Sequence, residues 1–207
     1  TAYRTEQGNA EFFTNYQPRY AGISLTKIAR ATSAAPTYFE PVYIDGFGTY
    51  IDGGIAANNP ALCAYIEVLK LLRQSGINPY SKKIIVVSLG TGVAQHSHNY
   101  HEMKNWSVLK WFFKGPIIDM FYEGNSTTVE YHLRQLLPKE NYFRFQLNLP
   151  QDNKSMQEID NSDPENIENL KAIAQYYIDN DAIGSLNMGW KSQLENLCML
   201  LTEKASV

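Results

Sequence analysis

Tyr50-Ile51-Asp52-Gly53-Gly54-Ile55, with Asn58-Asn59-Pro60 just beyond it, is the stretch that decides how this chain folds. Residues up to Ile51 read as a short strand, and Asp52 puts a carboxylate where that strand gives way to two glycines. A residue without Cβ accepts positive φ and also tolerates the close approach of a second backbone. Gly53 and Gly54 can therefore turn the chain and present the carboxylate at the strand end. Asn59 then offers a helix cap and Pro60 a pre-set first helical position. Leu62, Ile66, Leu69 and Leu72 predict the inward face of the following helix, and Gly76 its end. Next comes Lys83-Ile84-Ile85-Val86-Val87-Ser88-Leu89, a β-branched run closed by Gly90-Thr91-Gly92, which predicts a strand buried on both faces of a parallel sheet. Strand, helix and strand in that order imply an α/β crossover.

Upstream of the Asp-Gly-Gly turn, Ala2 to Thr5 and Ala10 to Asn15 flank Glu6-Gln7-Gly8-Asn9 and read as the two arms of a hairpin. Ser24 predicts the cap of an amphipathic helix with Leu25, Ile28, Ala29 and Thr32 on one side and Lys27 and Arg30 on the other. Downstream, Trp106 to Leu137 carries a helical pattern that Gly115-Pro116 and Gly124 are expected to break into two or three short helices. Tyr142 to Leu149 alternates like a late strand. Ser162-Asp163-Pro164-Glu165 opens a helix with Ile167, Leu170, Ala174 and Tyr177 on its stripe, and Trp190, Leu194, Leu197 and Leu201 mark a last one.

Length and composition bound the rest. The 207 residues are 44% hydrophobic and 13% aromatic, enough for one globular domain with one sizeable core. A net charge of −3 and the lack of any run of Lys or Arg speak against nucleic acid as a partner. Cys63 and Cys198 lie far apart among apolar neighbours, so reduced core thiols are expected rather than a disulfide framework. The chain starts at Thr1-Ala2-Tyr3 with no initiator Met and a short first hairpin arm, and reads as part of something longer.

Three blocks in order, Ala31-Thr-Ser-Ala-Ala-Pro-Thr-Tyr-Phe39, Ile51-Asp-Gly-Gly-Ile-Ala-Ala-Asn-Asn-Pro60 and Ser88-Leu-Gly-Thr-Gly92, resemble the C-terminal half of a patatin-like phospholipase. Asn141-Tyr-Phe-Arg144 and Ile159-Asp-Asn-Ser162 continue the likeness to about residue 175. The resemblance implies a partial α/β/α sandwich with mostly parallel central strands and flanking helices, residues 1–207 forming the C-terminal portion of one such domain. It also implies a serine acyl hydrolase in which a Ser on a Gly-x-Ser-x-Gly elbow pairs directly with the Asp of the Asp-Gly-Gly turn. Asp52 takes that role by position, with Gly53 and Gly54 as its supporting turn. With no histidine between them, the carboxylate itself must take the hydroxyl proton, and an unperturbed aspartate, with pKa about 3.9, is a poor base. A water-poor pocket, walled by residues such as Ala34, Ala35 and Tyr38, would suit that chemistry.

The elbow itself does not occur in these residues, and neither does a glycine-rich loop to supply oxyanion donors. Gly22-Ile23-Ser24-Leu25-Thr26 lacks the last glycine and Gly46-Phe47-Gly48 the third. The economical expectation is that an N-terminal portion of the same protein carries the serine, and that this chain alone is inactive. The implied partner is an acyl lipid, with peripheral membrane contact compatible; neither cofactor nor metal is called for. The rival from another class is a noncatalytic lipid-binding or interaction fragment of the same fold. A weaker rival uses His96, His98 and His101 with Glu102 as a metal site, against which a solvated loop suffices. Asp-Gly-Gly taken alone also fits an ordinary turn, and Asn58 and Asn59 could orient that turn, though a helix cap suffices for Asn59 and neither is given a catalytic role. Trp106, Trp111, Phe112, Phe113, Phe121 and Tyr122, with Lys110 and Lys114, suit a lipid interface, but packing against the sheet is the favoured expectation.

Overall fold

A computed structural model describes residues 1–94, 98–114, 117–184 and 188–203. In chain order the strands and helices are β1 (Ala2–Arg4), β2 (Asn9–Glu11), α1 (Leu25–Thr32), β3 (Val42–Ile44), β4 (Gly48–Asp52), α2 (Gly54–Ala57), α3 (Ala61–Gln74), β5 (Val86–Leu89), β6 (Val93–Ala94), α4 (Tyr100–Met103), α5 (Ile117–Leu136), β7 (Tyr142–Phe145), β8 (Asn148–Leu149), α6 (Pro164–Asp179) and α7 (Trp190–Glu203). The mixed α/β class expected from the sequence is the class observed. The chain divides into two compact units, Thr1–Gln74 with Trp111–His132, and Ser75–Lys110 with the chain from Leu133 onward. Each has its own hydrophobic cluster. None of the described helices is long and apolar enough to cross a membrane.

The first unit holds a four-stranded antiparallel sheet in the order β2-β1-β4-β3. The predicted hairpin forms, with Ala2 opposite Glu11 and Arg4 opposite Asn9, and Gly8 at φ 64° makes its turn. β4 lies between β1 and β3, so both of its edges are paired, with Ala2 opposite Asp52 and Val42 opposite Tyr50. Short turns join β1 to β2 and β3 to β4, which makes those two pairs antiparallel, and β1 and β4, distant in sequence, also pair antiparallel. Tyr50 is fully buried among Ala2, Ala31, Ala34, Val42 and Ile44, with the Phe13 ring 5.4 Å from its own. Burying one such side chain contributes about 2 kcal/mol. The Ser24 hydroxyl accepts from the Lys27 amide at 3.3 Å, capping α1 as its sequence predicts.

α3 starts and stops where expected, with the Asn59 side chain accepting from the Ala61 amide at 3.2 Å and Gly76 at φ 71°. Its buried face is Ala61, Tyr65 and Leu69, while Ile66 is 48% exposed. Of the expected stripe Leu69 is buried and Leu62 and Leu72 are partly buried, while Tyr65 takes the interior place expected for Ile66. Gly124 does not break α5, which runs for 20 residues. A missing Cβ in a helix costs only about 1 kcal/mol, which the packing of Leu133 further along the same helix outweighs. Gly115-Pro116 lies outside the described residues. Phe112 and Phe121 are exposed at 62% and 73%, against the expectation that these aromatics pack inward.

In the second unit, β5 pairs with β7 and β6 with β8, both parallel, so the expected parallel strands are here. β5 is not the doubly buried strand the sequence suggests: Val86 and Ser88 are buried, but Val87 is 43% and Leu89 75% exposed. β7 is buried at all four positions. Its Phe143 and Phe145 join Leu147, Leu149, Met156 and Trp190, over which α6 and α7 lay Leu170, Ile173, Tyr177, Leu194 and Leu197. Ile167 and Leu201 fall outside those faces, exposed at 40% and 57%. Cys63 is half-buried and Cys198 is exposed; both are free thiols.

Candidate active site

Asp52 is the last residue of β4 and is half-buried. Its main-chain N–H donates to the Ala34 carbonyl at 3.0 Å, and the Gly53 N–H to the Thr32 carbonyl at 3.3 Å. Those two bonds stitch the segment after α1 to the Asp-Gly-Gly turn and bring two of the three sequence blocks together. The carboxylate folds back on its own turn, where Oδ1 accepts from the Gly54 N–H at 2.6 Å. Oδ2 has no hydrogen-bond partner among the described residues.

The two glycines act through close approach, since neither has a positive φ. A Cβ on Gly53 would lie 2.3 Å from the Thr1 carbonyl oxygen, so a side chain there would collide with the backbone just before β1. A Cβ on Gly54 would lie 2.9 Å from Asp52 Oδ1 and 3.4 Å from Tyr122 Cε1. The bare Gly54 thus lets carboxylate and aromatic ring share one small space.

Of the expected wall, Ala34 meets Asp52 through its carbonyl while its side chain turns into the core. The Ala35 carbonyl accepts from the Tyr38 and Phe39 amides at 3.1 and 2.9 Å and so shapes the turn, and Tyr38 is 50% exposed. Between them, Thr37 has φ 77°. A left-handed conformation in a β-branched residue costs about 1–2 kcal/mol, held here by the amide bonds that follow it.

Asn125 and the site position of Tyr122 escaped sequence reasoning, while Asn58 was open to orienting the turn. The Asn58 amide N–H donates to Asn125 Oδ1 at 3.2 Å, Asn125 Nδ2 donates to the Ala56 carbonyl at 3.3 Å, and Asn58 Nδ2 donates to the Tyr122 carbonyl at 3.2 Å. α5 is thereby clamped to α2, and Tyr122 is delivered to the Asp52 turn. Burial, and then the charges of Asp52 and Asp119, push the Tyr122 phenol above its ordinary pKa. The available signal was Asn125 inside a helical pattern, three residues after Tyr122 and hence on the same face.

His96 lies outside the described residues. His98 Nδ1 stands 3.7 Å from Glu102 Oε2. Among the described residues, no three His, Cys, Asp or Glu side chains are grouped to hold a metal ion. Ser88 and Leu89 end β5 and Gly90-Thr91-Gly92 follows it, with the Gly92 N–H donating to Gln146 Oε1 at 3.2 Å, a structural turn.

A strand-end aspartate, tied to a two-glycine turn and backed by a neighbouring loop in an α/β chain, defines a class of site with one carboxylate oxygen anchored and one open. A family model described as patatin-like phospholipase matches residues 1–65, the segment that contains this whole turn. Patatin-like protein 2 of Oryza sativa subsp. indica is 33% identical over 196 residues, covering 82% of this chain and 47% of that protein. Patatin-like protein 2 of Arabidopsis thaliana is 37% identical over 147 residues, covering 59% and 36% respectively. The 85/88 kDa calcium-independent phospholipase A2 of Rattus norvegicus is 44% identical over 70 residues, covering 32% of this chain and 8% of that protein. The chain belongs to the patatin-like phospholipase family, and spans less than half the length of the curated relatives it matches.

Proposed function

We propose that residues 1–207 are the C-terminal portion of one patatin-like domain of a lipid acyl hydrolase, a serine carboxylic-ester hydrolase of the phospholipase A or esterase type. In this reading Asp52 is the general base, and an N-terminal portion of the same protein supplies the serine. The observation that carries it is the asymmetry of the carboxylate: Oδ1 is fixed by the Gly54 N–H at 2.6 Å, and Oδ2 is left to accept from an incoming hydroxyl.

The chemistry follows from that asymmetry. Oδ2 takes the proton as the serine Oγ attacks the ester carbonyl. The proton then passes to the departing alcohol, leaving an acyl-serine, and the same carboxylate deprotonates the water that releases the acid. Neither metal nor cofactor has a step in this scheme. The acyl-lipid substrate is supported by the family description and by the phospholipase name of the rat relative. Peripheral contact with lipid is supported by Phe112, Ile118 and Phe121, exposed at 62%, 58% and 73% on the segment that delivers Tyr122. Exposed aromatic and aliphatic side chains are what an interfacial helix buries.

The test is Asp52→Asn in the complete protein, assayed on an acyl ester. Turnover is expected to fall by about 10²–10⁴-fold, the usual worth of a positioned base, with circular dichroism unchanged. This chain alone is expected to show no esterase activity. Near-normal turnover in the variant would remove Asp52 from the mechanism.

A further inference from the structure

Glutamine is a residue that folds mostly leave at the surface, yet Gln193 of α7 is fully buried. Its Nε2 donates to the Met188 carbonyl at 3.4 Å. That bond fixes which end of the amide is which, because the reverse assignment would set two oxygens against each other with no proton between them. Oε1 is then a buried acceptor without a hydrogen-bond partner among the described residues. Such an atom destabilises the fold that holds it unless a ligand or an ordered water meets it.

The space beside it is a cleft of about 270 Å³, lined by residues of α7, of the Lys139–Asn141 turn and of the start of β7. Gln193 and Met188 are both walls of it, so the amide end of Gln193 stands at its edge. Asn196 and Leu200 follow Gln193 at three and seven residues along the helix and share its face. Phe143, 3% exposed, is the aromatic contribution from β7. Met188 and Met199, 40% and 54% exposed, complete the apolar lining. Both are unbranched thioethers that repack readily, which makes them the covers a ligand displaces to reach Oε1.

We propose that this cleft binds a small uncharged aromatic molecule carrying one N–H or O–H donor, with the donor meeting Gln193 Oε1. Charge argues for the neutral form, because Lys139 and Glu140 are the charged residues that line the cleft and they cancel. Size argues for a fused pair of rings: at about 30 Å³ each, the space equals that of about nine waters, close to the count of non-hydrogen atoms in indole. The aromatic body is favoured by the two methionine sulfurs and the Phe143 ring, since both kinds of group pack well against aromatic edges and faces. An acyl chain fits less well, because it offers Oε1 no donor. The cleft lies wholly among residues of the second unit and Asp52 in the first, so nothing here depends on the role proposed for Asp52.

The test is a titration of indole into the full-length protein, isotopically labelled at its methionine methyl groups and followed by NMR. Met188→Leu and Met199→Leu assign the two signals. Indole is expected to move both saturably, with a dissociation constant on the order of 1 mM or tighter, as for a fragment of this size. Met120, in the first unit, should not move with them. Benzofuran has the same shape with an oxygen in place of the N–H, and is expected to bind about 10-fold more weakly, the ordinary worth of one hydrogen bond. In Gln193→Met, which keeps the length of the side chain and removes the acceptor, that preference should vanish. Signals of Met188 and Met199 that do not saturate would overturn the site. Equal affinity for the two probes in the parent protein, as a merely apolar surface or a resident water on Oε1 would give, would overturn it too, as would a folded Gln193→Met protein that keeps the preference. The comparison of the two probes needs no variant, so it decides the matter even where Gln193→Met fails to fold. Neither readout involves hydrolysis.

Discussion

β4 and β5 are strands of similar length, five and four residues, and they finish in opposite ways. β4 has a partner on each side and buries Tyr50 completely. β5 is paired on one side only among the described residues and leaves Leu89 75% exposed. The antiparallel hairpin β1–β2 comes from adjacent sequence. The parallel β5–β7 pair joins residues 56 positions apart, such as Ser88 and Arg144, and leaves an edge that adjacent sequence does not fill. Exposure on β5 lies beside the buried Phe143 and Phe145 of β7, whereas β4 is flanked by a strand on each side. The sharpest way to break that contrast is a matched pair of truncations in the full-length protein. Leu25, 82% exposed at the start of α1, and Leu89 look alike as solvent-facing leucines. Leu89→Ala is expected to cost about 2–5 kcal/mol in urea unfolding, as for a core leucine. Leu25→Ala should stay within about 0.5 kcal/mol, as for a surface one. Equal small losses would dissolve the difference between the two strands.

A smaller effect separates two glycines of the first unit. Gly53 sits where β1 and β4 close on each other, and an added methyl would stand 2.3 Å from a main-chain oxygen. Gly53→Ala is expected to destabilise by about 2 kcal/mol, within the range for overpacking. Gly124 has nothing within 4 Å of its would-be Cβ and lies mid-helix in α5. Gly124→Ala should stabilise by about 1 kcal/mol, the helix-propensity difference. Both are read from denaturant midpoints, and a neutral Gly53→Ala would mean the strand-end turn has slack that the geometry denies it.

The same contrast explains what could be read in advance. Elements announced by local chemistry were legible: the Gly8 turn, the Ser24 cap, the Asn59-Pro60 start of α3 and the strand-end position of Asp52 depend on a few adjacent residues. Faces were less legible. Ile66, Ile167 and Leu201 fit the helical period as well as the residues that are buried, and which ones go inward is decided by partners distant in sequence. The interruption expected at Gly124 failed for a related reason, because propensity is a weak prior where tertiary packing holds a long helix. At the site, Asp52, Gly53 and Gly54 stand out as a motif. Tyr122, Asn58 and Asn125 do not, since their roles come from 64 and 67 positions of separation closed by hydrogen bonds.

That long-range closure offers the smallest and most local test. The Tyr122 phenol is held above its ordinary pKa by burial, then by the charge of Asp52, then by that of Asp119. For a group whose folded pKa is raised, the favoured form is the protonated one. Its contribution is complete below the unfolded value of about 10 and is lost only as pH rises through the folded value. Neutral pH is therefore silent, and the window opens above about pH 10. Asp52→Asn removes the second of the three causes and leaves the first, so Tyr122 should titrate at lower pH than in the parent protein yet still above an exposed tyrosine. The phenolate absorbance is isolated by subtracting Tyr122→Phe in each background, which removes the other thirteen of the 14 tyrosines. A Tyr122 titration that ignores Asp52→Asn would separate ring and carboxylate. The clamp from α5 would then hold the helix to α2 without bringing Tyr122 to the site.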